Sequence, residues 1–394
     1  MQTVLRNVRP WGGEASDLRI ADGVIVAVER HDPAAEAVSG DPGTRFIEGD
    51  GLLALPGLVN AHAHLDKSWW GKPWVSYGGE ATTQGRIEHE RAHRGELGIP
   101  SSESTLALLR ALVEQGTTAF RSHVDVDLGV GLDGIWVVRE AVAALGVPVA
   151  LEIVAFPQDG VLRRPGVLDL LDRAAAEGAE HIGGLDPASI DRDPVGQLDA
   201  LFDIADRRGV GIDIHLHDGG ELGAFQYELI IERTRATGLA GRVNVAHGFA
   251  IGELSDARRR ALIDGMRETG VSITTVAPIN APRLPLAELR AAGVPVGLGT
   301  DGIRDLWGPY GDGDLLRLAA RLAQLSGFRR DDDLVDAVRV ATSDAASFVG
   351  RATRDLTVGS VADVVLLDAQ NVPEALVAAP PRSLVLVAGQ ELPA

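Results

Sequence analysis

The sequence predicts an α/β protein, a (β/α)8 TIM-like barrel with a small β-sandwich domain built from both chain termini. Three observations predict it. Between residues 55 and 300, eight apolar strand-like runs alternate with helix-like stretches, the pattern of a parallel sheet with helical crossovers. Short strand-like runs return at both ends of the chain. No G-x-G-x-x-G turn follows a strand, which argues against an open dinucleotide-binding sheet. A length of 394 residues accommodates such a barrel, since α/β barrels hold about 250 residues as one unit.

Taken in order, residues 3–8, 17–21 and 23–29 read as strands, the last two joined by the turn formers Ala21, Asp22 and Gly23. The barrel strands are expected at 55–64, 118–125, 149–156, 181–185, 210–217, 243–247, 271–276 and 296–300. Helices are expected at 104–115, 134–145, 166–177, 195–208, 222–237, 254–268 and 286–292. Two further helices, 312–325 and 331–349, precede strands at 361–367 and 383–387. This organisation places a small β domain at 1–52 plus 352–394 and a catalytic barrel at 53–351. The polar, glycine-rich stretch 69–101 is the longest candidate active-site loop.

Composition narrows the function. With 45% hydrophobic and 24% charged residues the chain is that of a globular protein. No apolar run approaches the roughly 18 residues a bilayer needs, and the first ten residues hold no signal-peptide core. No membrane partner and a cytoplasmic location are therefore expected. Cysteine is absent, which excludes disulfides, iron–sulfur clusters, thiol nucleophiles and Cys-ligated zinc. Any metal must be held by His, Asp, Glu or a modified Lys. A net charge of −19 argues against nucleic acid as a partner. Of the 37 basic residues only Lys67 and Lys72 are lysine, and both lie beside the most suggestive motif.

Barrel enzymes carry their functional side chains at the C-terminal ends of the strands. Six of the ten histidines fall there: His62, His64, His123, His215, His217 and His247, with Asp301 at the eighth strand end. His62 and His64 are two apart on a strand and so face the same side. Two imidazoles, a third His and an Asp suit one borderline divalent ion; hydrogen-bonded barrel histidines are the plainer alternative.

The run Pro56-Gly-Leu-Val-Asn-Ala-His-Ala-His-Leu-Asp-Lys67 resembles the first-strand signature of the amidohydrolase superfamily. Runs at 121–127, 154–160, 183–188, 213–218 and 300–307 resemble its bacterial cytosine deaminase branch, including triazine-degrading members. The resemblance spans essentially the whole chain. It implies that His62, His64, His215 and Asp301 are metal ligands and that His247 binds the metal or its water. It also implies that Gln158 reads a ring carbonyl and N–H. Two-metal members carry a Lys or Glu at the end of strand 4, and here that strand has no lysine. One divalent transition metal is expected, zinc ahead of iron.

The implied activity is hydrolysis of an exocyclic C–N bond, by deamination or N-dealkylation, on a planar nitrogen heterocycle such as a pyrimidine or s-triazine. Cytosine deaminase proper, a ring-opening cyclic amidase and a metal-stabilised binding scaffold are the alternatives. A bound divalent ion lowers the pKa of water from about 15.7 to near 7. Asp301 is placed to take the water's proton and His247 to polarise its oxygen. A leaving nitrogen also needs an acid. Cytosine deaminase has Glu three residues after the strand-5 ligand; here Asp218 is one methylene shorter, with His217 between, and either residue is a candidate shuttle.

Lys67, Asp186, Trp307 and Trp70 complete the substrate-binding candidates. Lys67 either meets a substrate oxygen or is a surface charge; Asp186, before Pro187, is a ligand or a turn residue. Trp307 stacks on a ring or closes the site as a lid. Arg304 and Asp305 are expected to pair. The expected partners are a small heterocyclic substrate and further copies of the chain in a homo-oligomer.

Overall fold

The computed structural model describes residues 2–34, 43–351 and 353–393. Residues 1, 35–42, 352 and 394, all within the expected terminal domain, lie outside the described residues. The N-terminal part supplies β1 (Gln2–Pro10), β2 (Ser16–Ala21), β3 (Val24–Arg30), β4 (Thr44–Glu48) and β5 (Leu53–Pro56). The barrel region runs β6 (Leu58–His64), α1 (Thr83–His93), α2 (Ser102–Glu114), β7 (Thr117–Asp125), α3 (Asp133–Ala144) and β8 (Ala150–Phe156). It continues with α4 (Val167–Ala176), β9 (His181–Leu185), α5 (Pro194–Arg208), β10 (Gly211–Leu216), α6 (Gly220–Thr237) and β11 (Val243–His247). Then come α7 (Asp256–Thr269), β12 (Ser272–Thr275), α8 (Leu286–Ala292), β13 (Val296–Leu298) and β14 (Asp301–Gly302). The chain ends with α9 (Leu315–Leu325), α10 (Asp331–Val340), β15 (Val364–Leu367), α11 (Val372–Ala378) and β16 (Arg382–Leu386).

Strands β6 to β13 pair in sequence order, all in parallel. Helices cover the sheet, so its strands are buried on both faces, as in β7, where every residue is buried. β13 pairs with β12, and β14, two residues further along the same segment, pairs with β6. The segment at 296–302 thus joins the two edges of the curled sheet, which fits a TIM-like barrel. Gly299 permits that junction: a Cβ there would lie 2.3 Å from the His62 carbonyl oxygen and 2.4 Å from its nitrogen. Helices α2 and α9 face the sheet through apolar stripes, Leu108, Leu109, Leu112 and Val113 in one and Leu315, Leu318 and Leu322 in the other.

The strand expected at 55–64 is divided. Gly57 donates its N–H to Asp363 in the terminal region, whereas Leu58 donates to Gly116 ahead of β7. β5 therefore belongs to the terminal sheet and β6 to the barrel. The terminal sheet takes strands from both ends of the chain, in the order β16-β15-β5-β1-β2-β3 with β4 beside β1. Its far edge curls back, with Val24 bridging Val361, and Leu5, Leu18, Ile25, Val364, Leu366 and Leu386 share one buried cluster. The helix expected to run through 331–349 stops at Val340 and resumes as a tight 3-10 turn, Ser343–Val349. That turn packs Phe348 and Val349 against Val59, Ala61 and Ala119 at the barrel floor.

Candidate active site

The strand ends converge as the β-sheet period requires. β6 carries His62 and His64 on one face, β10 ends near His215, β11 ends on His247 and β14 begins with Asp301. One nitrogen from each of His62, His64 and His215 lies within 4.8 Å of the others, and so do ligand atoms of His62, His247 and Asp301. Asp301 Oδ1 is 3.3 Å from His64 Nε2 and 3.6 Å from His62 Nε2. Both ring nitrogens of His62 and His215, and Nδ1 of His64 and His247, are buried without a hydrogen-bond partner. Buried polar atoms are ordinarily satisfied, so this clustering is a feature to explain.

Electrostatics favour the form a metal needs. Burial pulls the pKa of His64 down, helped by the Lys67 charge. Burial and the neighbouring imidazole of His62 do the same to His215, and burial with His217 nearby to His247. Neutral imidazoles present lone pairs. Burial alone would raise the Asp301 carboxyl, but its interactions with His62 and His64 outweigh that and hold it well below the ordinary range. These imidazoles and one carboxylate suit a divalent metal ion; His62, His64, His215, His247 and Asp301 are the residues that would hold it. His247 and Asp301 adopt left-handed backbone, with φ of 66° and 60°. Such strain in non-glycine residues concentrates at functional sites.

Behind the cluster lies a buried polar layer that the sequence did not reveal as such. His123 sits against His62 with ring centroids 4.1 Å apart, and its Nε2 is 3.2 Å from Asp213 Oδ1. Its pKa is lowered to about 4 by burial and the adjacent His62. Asp213 also accepts from Arg121 and from Asn244. His123 thus supports the first imidazole from beneath.

His217 is held differently. Asp186 accepts its backbone N–H at 2.6 Å through Oδ1 and faces its Nδ1 at 2.8 Å through Oδ2. Burial pulls His217 toward neutrality, but the hydrogen bond and charge of Asp186 overcome it and leave the pKa above its ordinary value. His217 lines the cavity over the cluster, whereas Asp186 stands behind it. Asp186 is also left-handed, with φ of 32°; its place as a turn residue and its grip on His217 are the same fact.

The cavity measures about 420 Å³ and is lined by His64, His215, His217, His247 and Asp301 together with Lys67, Gln158, Phe156 and Trp307. Asp218 and Trp70 are absent from its lining. Asp218 accepts from Ser189 Oγ and, at 2.9 Å, from Gln226 Nε2. Trp70 lies under the Arg304 guanidinium, 4.2 Å from ring centroid to carbon. Arg304 and Asp305, expected to pair, therefore part: Asp305 Oδ1 accepts the backbone N–H groups of Trp307 and Gly308 instead.

Lys67 is only 3% exposed, which removes the surface-charge reading. Its Nζ donates to Gln158 Oε1, pairs with Asp125 at 2.9 Å and lies 3.7 Å from Glu90. Glu90 belongs to α1, inside the stretch read as a loop. Thr82 caps that helix by accepting the Gly85 N–H, and Ile87 anchors it in a cluster with Phe156, Leu185 and Ile190. Glu90, Asp125 and Asp305 are the site residues sequence reasoning missed. The one available signal was a Glu in the polar stretch that follows the His pair, too common to single out.

The profile of the Amidohydrolase family matches residues 95–393, and the chain belongs to that family. It is an enzyme of that family, a hydrolase. The solved structure of N-isopropylammelide isopropylaminohydrolase from Burkholderia multivorans ATCC 17616 superposes with a TM-score of 0.93 at 42% identity, over 99% of this chain and 98% of that one. N-isopropylammelide isopropyl amidohydrolase of Pseudomonas sp. (strain ADP) is 28% identical over 82% of this chain and 81% of its own length. The 5-methylcytosine deaminase of Klebsiella pneumoniae has a TM-score of 0.81 at 26% identity, with 99% and 97% covered. Among the described residues no helix is long and apolar enough to cross a membrane.

Proposed function

We propose that this enzyme hydrolyses an exocyclic C–N bond of a planar nitrogen heterocycle, releasing ammonia or an alkylamine and leaving a ring carbonyl. The observation that carries the reading is the convergence of four buried imidazoles with unpartnered nitrogens and Asp301, of which His64, His215, His247 and Asp301 line a ring-sized cavity. The similarity to enzymes named for N-isopropylammelide and 5-methylcytosine supports it. A divalent ion held by these residues, zinc in our reading, would acidify water and so make a nucleophile available at neutral pH.

The chain's own groups do the rest. Asp301, whose carboxyl is held ionised, takes the proton of the attacking water, and His247 steadies the oxygen. His217, whose pKa Asp186 raises, gives a proton to the leaving nitrogen, which would otherwise depart poorly. Asp218, committed to Ser189 and Gln226, is the weaker candidate for that transfer. Phe156 and Trp307 enclose the planar ring; Lys67 and Gln158 bind its polar edge.

We also read the expected 1–52 and 352–394, with β5 (Leu53–Pro56) added because it pairs in the terminal sheet, as one sandwich-like domain and the rest as the catalytic domain, in a cytoplasmic homo-oligomer. Metal-verified protein should release ammonia or amine from at least one member of a panel of aminated triazines, pyrimidines and pterins, with close to one transition metal per chain. Metal-loaded protein inert on the entire panel, or a reproducible two metals per chain, overturns the reading.

A further inference from the structure

Glu90 is buried, and it does not line the cavity. Its Oε2 nevertheless takes two hydrogen bonds from residues that do: one from Gln158 Nε2 at 2.5 Å and one from Trp307 Nε1. The same Oε2 lies 3.7 Å from Lys67 Nζ. None of the described proton-transfer steps uses this carboxylate. It joins three cavity-lining side chains that are far apart in sequence.

The chemistry of the four groups admits only one arrangement. A carboxylate accepts only, and an ammonium donates only. The Gln158 amide, set between them, must turn its NH2 toward Glu90 and its oxygen toward Lys67, as it does. Without Glu90 the amide would lose the partner that fixes this orientation. One amide N–H is used by Glu90, and of the three ammonium hydrogens one is used by Gln158 and one by Asp125. The second amide N–H and a further ammonium hydrogen remain for a ligand, so donors dominate this part of the cavity.

We propose that Glu90 is a positioning residue for substrate specificity: acting through Gln158 and Lys67, it fixes a donor edge that selects rings bearing oxo or oxyanion groups away from the cleaved amine. This rests on the heterocycle reading above and names the substrate class within it. Trp307 is oriented by the same carboxylate, so the ring-stacking face and the donor edge are set together.

The test uses two rings of one size and opposite edges, cyanuric acid with three oxo groups and melamine with three amino groups, titrated calorimetrically into metal-loaded protein. Wild type should prefer cyanuric acid. Glu90→Gln should weaken cyanuric acid binding on the order of ten- to a hundredfold, the worth of a hydrogen bond to a charged group, and change melamine binding less than about threefold on the same scale.

The double variant Glu90→Gln with Gln158→Glu keeps the buried charge count and a hydrogen-bonded pair, but its residue 158 can only accept. It should melt near wild type and still fail to bind cyanuric acid. It also serves if the single variant does not fold. A merely structural role predicts that both rings weaken alike in the single variant, and cyanuric acid binding by the swap would show that no donor at residue 158 is needed. Either result overturns the proposal. A wild type that neither binds nor hydrolyses any ring of the panel overturns the functional reading itself. An active wild type whose discrimination is untouched by Glu90→Gln overturns this inference alone.

Discussion

Replacing Lys67 with methionine removes the only lysine in a buried carboxylate cluster while keeping an unbranched apolar stem. The side chains of Lys67, Asp125 and Glu90 are 3%, 5% and 2% exposed. Removing one partner of a buried ion pair costs about 3–5 kcal/mol, because the surviving charge stays out of water. Part of that cost is recoverable by protonation. Burial already lifts the Asp125 carboxyl well above its usual range, opposed chiefly by the charge of Lys67. Without Lys67 the folded pKa rises further. A carboxyl with a raised folded pKa leaves stability intact below its unfolded value and removes it as pH climbs toward the folded one. Lys67→Met should therefore cost about 3–5 kcal/mol at pH 8 and distinctly less at pH 5. Urea denaturation at the two pH values, with m checked for constancy, measures it. A loss under about 1 kcal/mol at pH 8, the scale of an exposed pair, or an equal loss at both pH values, would refute the buried-cluster reasoning.

Three further outcomes are expected. Asp301→Asn should lower kcat by about 10² to 10⁴-fold while the fold persists, since an amide cannot take the water's proton; near-normal kcat in a metal-verified variant removes Asp301 from the chemistry. Asp186→Asn keeps a hydrogen-bond acceptor for His217 but removes the charge that sustains its proton. It should slow substrates with basic, poor leaving amines more than activated ones, and uniform losses would assign Asp186 a structural role. Asp305 is raised to about 7, by burial first, with Lys67 opposing and Glu90 adding to the rise. Its contribution is present below about pH 4 and is lost as pH rises toward 7. Asp305→Asn, whose Oδ1 can still accept from Trp307 and Gly308, should flatten the fall in Tm between pH 5 and pH 8; an unchanged slope contradicts a protonated Asp305.

The barrel and its metal-ligand candidates were legible in the sequence because both depend on local periodicity. A strand places His62 and His64 on one face whatever surrounds them, and a parallel barrel brings the ends of its strands to one rim. His215, His247 and Asp301 could be assigned from the same rule. Tertiary structure alone decided which neighbours turn inward. His217 and Asp218 are adjacent in the chain, yet His217 is taken by Asp186 from the preceding strand end and Asp218 by Ser189 and Gln226. Residue type could not separate them. Glu90 was illegible for a stronger reason. Its helix is short and polar, with only Gly85, Ile87 and Glu90 buried, so no apolar stripe announces it. Its partners Gln158 and Trp307 are 68 and 217 positions away. Periodicity reports which face of an element is buried; which charges meet there is set by the packing of segments distant in sequence.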